Sequence, residues 1–562
     1  MPTHGTARRA GSILALIAIL LVSLLLSGLG AAANADDQPS TPASPSAPTS
    51  GSSTPVTPTT AARTVESAGT IAANPDYVTQ RSYYTASWPV LTNDKCENVT
   101  PCTVANLSGF PVVTSKPAGW TVTVTTAATI RVTIPENTVT GPQVIGYSIT
   151  DSSATVNGTL TVQVVLPPTP NHYNPPQGSK FSHAFISNSA YNIRTHVLRT
   201  IGSVPAGSQI RILSWSFNSP KIMSALIAAK RRGVSVQIIM SPPADPRQSE
   251  YRSLVKYFGL NRYGKNSLRG SWVYKCRASC RGTGGTMHAK VFLFSQAYNT
   301  RWVIMSGSGN LTDFASKGQW NQQYTTTNNE AAYNAILNVF MQAKADRAVR
   351  PRQLTLTFPT TTYFFTPLST RTTTSDFIYQ ALNKVQCTGA ANSTGRTRVR
   401  ISMYTWRDTR GDWMARQVRR LWNAGCDVRI IFAIMGTRNK AILYSPSGRG
   451  RIPMRQTILV DSDHRPVWYL HQKYIAVGGK ISGDPSAFQT FQGSFNFSDL
   501  GMRSDENMQQ LNGYAAYAPY ITDFDQIWKQ RQTRAPDPNS YVKQAERTVR
   551  LGTGRYKFMD PD

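Results

Sequence analysis

Met287-His288-Ala289-Lys290 followed by Gly307-Ser308-Gly309-Asn310, and Leu470-His471-Gln472-Lys473 followed by Gly493-Ser494-Phe495-Asn496, are two copies of one polar signature. Each H-x-K runs into an apolar stretch typical of a buried strand, Val291-Phe-Leu-Phe and Tyr474-Ile-Ala-Val. Side chains two apart on a strand share a side, so each histidine is expected to project with its lysine. A following strand, Trp302-Val-Ile-Met-Ser or Phe491-Gln, delivers Gly-Ser-x-Asn at its end.

Working upstream, each signature is preceded by the same phrase. Gln209-Ile-Arg-Ile-Leu-Ser reads as a strand, Lys221 to Arg232 as an amphipathic helix ending at Gly233, and Val234-Ser-Val-Gln-Ile-Ile-Met as the next strand. In the second copy the strand is Val399-Arg-Ile-Ser-Met-Tyr-Thr-Trp. A helix from about Trp413 to Asn423 ends at Gly425, and Val428-Arg-Ile-Ile-Phe follows. These are diverged copies of one β-α-β unit, which predicts an α/β fold of two lobes, 178–350 and 351–535, with a tail over 536–562.

Hydrolysing a phosphodiester without a metal takes a nucleophile, a proton donor and cations on the phosphate oxygens. One of His288 and His471 can attack phosphorus while the other protonates the leaving oxygen and then activates water. Lys290 and Lys473 supply positive charge. Asn310 and Asn496 donate amide hydrogens or form turns, and Ser308 and Ser494 add bonds or hold the turn. Sliding the copies by 184 residues aligns Ala331-Ala332-Tyr333 with Ala515-Ala516-Tyr517, and Gln322 with Glu506. A carboxylate on one ring nitrogen fixes the tautomer and makes the other nitrogen a better nucleophile, whereas an amide only orients.

The doubled H-x-K…G-S-x-N resembles the phospholipase D superfamily over roughly residues 178–535. That resemblance implies a two-lobed phosphodiesterase with His288 as nucleophile backed by Glu506. His471 is then the acid/base, backed by Gln322. The Gln/Glu pairing also resembles tyrosyl-DNA phosphodiesterases. The family's usual aspartate, five residues after the lysine, is here Ser295 and Gly478. No cofactor and no metal enter this scheme, and activity in the presence of a strong chelator is the expectation. Because both signatures lie in one chain, a monomer suffices for a complete site. The aromatic residues Trp215, Tyr404 and Trp406 read as core; His183, His196 and His464 have no partner motif.

The N-terminal part has a different character. Residues 1–35 have a basic start at His4, Arg8 and Arg9, an apolar run from Ser12 to Leu29, and Ala33-Asn34-Ala35. This is the pattern of a cleaved signal peptide, with an uncleaved anchor as the alternative. Residues 36–63 form a Ser/Thr/Pro-rich linker, and 64–167 read as short strands between turns, a small all-β sandwich. That segment resembles bacterial immunoglobulin-like modules at Asn74-Pro-Asp-Tyr and Val90-Leu-Thr-Asn-Asp. A Pro-rich hinge over 168–177 follows. Export lets six cysteines pair, and proximity among 15 pairings favours Cys96–Cys102, Cys276–Cys280 and Cys387–Cys426, with a zinc site at Cys276 and Cys280 as rival.

The formal charge is +30, with 59 basic and 29 acidic residues. Only 7 basic and 8 acidic residues lie before residue 171, so the excess belongs to the catalytic part. A positive field of that kind attracts phosphate-bearing partners. The expectation is a secreted phospholipase D that meets the membrane surface transiently and releases phospholipid head groups. A nuclease or other nucleic-acid phosphodiesterase is the first alternative, and a catalytically inactive surface or adhesion protein the second. Head-group preference, and hydrolysis against transfer to an alcohol, are not legible in the sequence.

Overall fold

The computed structural model describes residues 71–536 apart from 83–84, 97–98, 136–138, 166–169, 187–188, 242–248, 261–269, 461 and 463–465. The proposed signal peptide, the linker, His464 and nearly all of the C-terminal tail lie outside the described residues.

Between Asp76 and Val165 the chain forms two sheets. Asp76–Arg81, Thr155–Val165, Gly141–Thr150 and Val112–Ser115 make one; Thr85–Pro89, Thr129–Thr133 and Thr121–Val124 make the other. Period-two burial along Thr155–Val165 turns Leu160, Val162 and Val164 inward, where they meet Ile130, Val132 and Tyr147. The Cys96–Cys102 disulfide is part of the same core. The sequence reading of a sheet-rich unit ahead of an α/β part is what the structure shows.

Beyond it, two sheets repeat one plan. In the first lobe Trp272–Lys275, Ser235–Met240 and Gln209–Ser214 run parallel, and Val291–Ala297, Thr300–Gly307, Gln319–Thr326 and Gly178–Ser182 continue antiparallel. In the second, Met454–Gln456, Asp427–Met435, Arg398–Trp406, Lys473–Ile481, Asp484–Gly493, Asn507–Asn512 and Thr361–Phe365 follow in the same order and directions. Seven strands thus correspond one for one.

The strands are apolar on both faces because helices cover both. Ile210, Ile212, Phe292 and Phe294 pack with helix Pro220–Arg231, through Ile222, Leu226 and Ala229. The intervening Leu213, Val291 and Leu293 pack on the opposite face with Ile336 and Phe340 of helix Glu330–Ala345. Each fully buried aliphatic or aromatic side chain of this kind contributes about 1.5–3 kcal/mol. Truncating Leu226 to Ala would cost about 2–5 kcal/mol. In the second lobe Val399, Ile401 and Met403 pack against Met414, Val418 and Leu421 of helix Asp408–Asn423. That helix starts about one turn before the Trp413 expected from sequence. Gly411 is accommodated inside it, and the Asn439 side chain occupies the space beside that glycine.

Both crossover helices stop at glycines in the left-handed region, Gly233 at φ 95° and Gly425 at φ 101°. All three disulfides join the cysteines paired by proximity. Cys276 and Cys280 lie near Asp346, but they are bonded to each other and offer no thiolate to a metal. Among the described residues no helix is long and apolar enough to cross a membrane.

Candidate active site

The H-x-K segments sit at the start of the middle strands. The ladders begin at Val291 and Lys473, so His288 and Lys290 precede the strand rather than lying on it as expected. In the second copy the two side chains share a side. Lys290 Nζ donates to the His288 carbonyl at 2.7 Å, and Lys473 Nζ lies 2.9 Å from His471 Nε2.

Each histidine is held by the other lobe. The His288 N–H donates to the Asp505 carbonyl and the His471 N–H to the Trp320 carbonyl, both at 2.9 Å. The next residue along each supporting segment therefore faces the ring. His288 Nδ1 lies 2.7 Å from a Glu506 carboxylate oxygen, and His471 Nδ1 lies 2.9 Å from Asn321 Oδ1. Both rings are fully buried, and Glu506 nearly so.

This corrects one expectation. Gln322 is not behind His471; Asn321 is. The two copies do not keep one offset: it is 183 at the histidines, 186 at Gly-Ser-x-Asn, 185 at Asn321/Glu506 and 184 at the Ala-Ala-Tyr pair. Turns of unequal length absorb the differences, and one residue of slip on a strand sends a side chain to the opposite face. Gln322 instead matches Asn507. Its Oε1 accepts the Lys473 N–H at 3.3 Å, as Asn507 Oδ1 accepts the Lys290 N–H at 2.7 Å. Its Nε2 donates to the carbonyls of Lys473 and Gly493. The resemblance to a Gln/Glu pairing falls with this register.

The serines brace the supports. Ser308 Oγ donates to Asn321 Oδ1 at 2.8 Å, and Ser494 Oγ donates to Glu506. Asn321 Nδ2 donates to the Ala315 carbonyl at 2.9 Å, which orients the amide with Oδ1 toward the ring. An acceptor on each Nδ1 requires the hydrogen there and leaves the lone pair on Nε2. The leading glycine of each Gly-Ser is required by contact. A Cβ on Gly307 would lie 2.3 Å from the Gln322 carbonyl oxygen, and one on Gly493 2.1 Å from that of Asn507.

Asn310 and Asn496 follow, both buried. Behind Asn496 stands a buried ion pair that the sequence reading missed. Arg410 contacts Asp376 at 2.9 Å, donates to the Asn496 carbonyl, and lies 3.4 Å from the centre of the Phe495 ring. Asp505 was missed as well. Its carboxylate accepts from the Ser279 hydroxyl and the Cys280 and Arg281 amides, tying the disulfide loop to the residue before Glu506. Burial pushes this carboxyl up to about 7, although Arg281 and the three donors pull the other way.

The two absent aspartates have local explanations. Ser295 Oγ accepts the Gln209 N–H at 2.9 Å, and a Cβ at Gly478 would lie 2.8 Å from the Tyr517 ring. Tyr404 and Trp406 are core, as expected, although the Tyr404 ring also lies 5.1 Å from that of His471. Trp215 is half-buried, 6.3 Å from the His288 ring. His183 pairs with Asp523, and His196 bonds Tyr173 and Thr325.

Two lobes of one β-α-β plan, each bracing the histidine of the other, define a duplicated α/β fold. Residues 198–342 match a family model described as "Cardiolipin synthase, PLD-like domain". No curated protein matches the chain. Among solved structures it is similar to the polyphosphate kinase from Porphyromonas gingivalis at 13% identity and TM-score 0.42, covering 69% of this chain and 60% of that one. It is also similar to Nuc, a phospholipase D family member from Salmonella typhimurium, at 22% identity and TM-score 0.23, covering 32% of this chain and 99% of that one. NucT from Helicobacter pylori follows at 16% identity and TM-score 0.22, covering 29% and 95%.

Proposed function

We propose that the chain is a phosphodiesterase that works through a phosphohistidine on His288. The observation that carries this reading is the unequal support of the two rings: a carboxylate on His288, a neutral amide on His471. The carboxylate favours the positive charge that His288 gains on bonding to phosphorus. The amide holds His471 without stabilising its cation as strongly, which suits a ring that must give its proton away.

The steps balance as follows. His288 Nε2 attacks phosphorus, the bond from phosphorus to the leaving oxygen breaks, and His471 in its protonated form hands a proton from Nε2 to that oxygen. Water then attacks phosphorus, His471 takes its proton, and the N–P bond returns its electrons to His288. Lys290 and Lys473 offset the charge on the phosphoryl oxygens, with amide hydrogens from Asn310 and Asn496. Burial of both rings keeps competing water out and strengthens each of these interactions.

The substrate we propose first is a phospholipid, cleaved on the head-group side by an exported enzyme. Two lobes in one chain and the signal-like start support that reading, and the three disulfides suit an oxidising compartment. The immunoglobulin-like unit would then serve adhesion or spacing. The charge of +30 favours nucleic acid as a second reading. The test is to give the purified protein choline phospholipid vesicles and, separately, plasmid and single-stranded DNA. Choline release with intact DNA supports the first reading; nicked DNA with intact lipid supports the second. Turnover of neither would leave a catalytically inactive surface protein.

A further inference from the structure

We propose that the cavity bounded by Arg352, Arg371 and Arg503 is a subsite for a second phosphate of a nucleic-acid strand whose neighbouring phosphodiester lies at the histidines. This deepens the nucleic-acid reading and rests on the phosphodiesterase assignment.

The cavity measures about 480 Å³, and its lining residues include three arginines and no acidic residue. None of the three is ion-paired with a described acidic residue, whereas Arg400 and Arg410 have Asp427 and Asp376. Like charges gathered without a counter-charge repel, and an anion between them relieves that cost. Thr283, Ser369 and Thr370 share the lining with the arginines, and guanidinium and hydroxyl groups are the donors that phosphate oxygens accept from. Apolar side chains are a minority of the lining, which favours a phosphate over an acyl chain.

The cavity also adjoins the machinery. Gly285, next to the lining residue Gly284, is so close to Arg503 that a Cβ there would lie 2.5 Å from its carbonyl. The Asp505 N–H donates to the Thr286 carbonyl at 2.9 Å. Thr366 Oγ1 accepts the Glu506 N–H at 2.9 Å, and the chain then runs directly into the cavity at Pro367. Two of its wall segments, Thr283-Gly284 and Met502-Arg503, are thus short continuations of the segments that carry His288 and Glu506, and the third, Pro367 to Arg371, follows a residue that holds the Glu506 backbone.

The test compares the native chain with the double variant Arg371→Ala/Arg503→Ala, two exposed positions. Bis(p-nitrophenyl) phosphate supplies one phosphate; a fluorescein-labelled single-stranded oligonucleotide supplies several. The variant is expected to lose about tenfold or more in kcat/KM on the oligonucleotide, with a shallower salt dependence, and to keep its rate on the small diester. Equal losses on both substrates, or no loss on the oligonucleotide, would overturn the subsite. A native chain that cleaves the small diester yet neither binds nor cleaves the oligonucleotide overturns the subsite and spares the phosphodiesterase reading. Conversely, arginine-dependent oligonucleotide binding by anisotropy, with no turnover of either substrate, upholds the subsite and removes the reaction.

Discussion

The ring of His288 and the carboxylate of Glu506 meet at 2.7 Å although 218 residues separate them. The carboxylate fixes the Nδ1–H tautomer and balances the charge formed at Nε2. Glu506→Gln keeps the size but removes the charge, and kcat is expected to fall on the order of 10²–10⁴-fold, as when a histidine loses its orienting carboxylate elsewhere. Steady-state rates on a small diester, with an unchanged circular dichroism spectrum, check this.

The two histidines are expected to fail differently. His288→Ala forms no phosphoenzyme, because no nitrogen remains to accept the phosphoryl group. His471→Ala forms it with an activated substrate and then stalls, because water lacks its base. Acid-quench labelling with a radioactive diester separates them. Loss of labelling in His471→Ala alone would invert the roles.

Asn321 makes a prediction about leaving groups. Asn321→Ala frees the His471 ring and should slow substrates with basic leaving groups by about tenfold or more, while p-nitrophenyl esters, which need little protonation, change less. Gln322→Ala acts on the Lys473 and Gly493 backbone and should slow both kinds alike. Rates across a leaving-group series decide it; identical slopes for the two variants would count against the ring-orienting role.

Asp505 gives stability a pH dependence. Its carboxyl is raised in the folded chain from 3.8 to about 7. Between those values the folded state binds more protons than the unfolded one, so this contribution is full at the acid end and is lost as pH rises through about 7. The slope for one such group reaches about 1.4 kcal/mol per pH unit. Urea midpoints over that range should decline less with rising pH in Asp505→Asn than in the native chain.

Gly493 is a packing requirement. Gly493→Ala places a Cβ against the Asn507 carbonyl, and the expected loss is about 1–3 kcal/mol. Chemical denaturation measures it. An unaffected midpoint would mean that the two strands separate freely.

The fold was readable because each level of the sequence pointed the same way. Continuous apolar runs, crossover helices ended by Gly233 and Gly425, and a duplicated motif all demand the same pair of sheets. His288, Lys290, His471, Lys473 and Glu506 were visible because motif and spacing mark them. Asn321 was not, because its identity depends on strand parity and the offset between copies drifts through unequal turns. The triplet Asn321-Gln322-Gln323 offered three amides, and only the ladder to the other half selects among them. Arg410 and Asp376 carry no motif; a charge pair from two distant helix starts becomes recognisable only once they pack.

The supports are exchanged between the halves: Glu506 belongs to the second lobe and serves the first, and Asn321 does the reverse. Severing the polypeptide between Ala345 and Leu354 would therefore leave two fragments, each with an imidazole that has lost its brace. Such fragments should be inert apart and regain turnover when mixed. A lone half carries the brace for its counterpart's ring and none for its own, so neither half is self-sufficient.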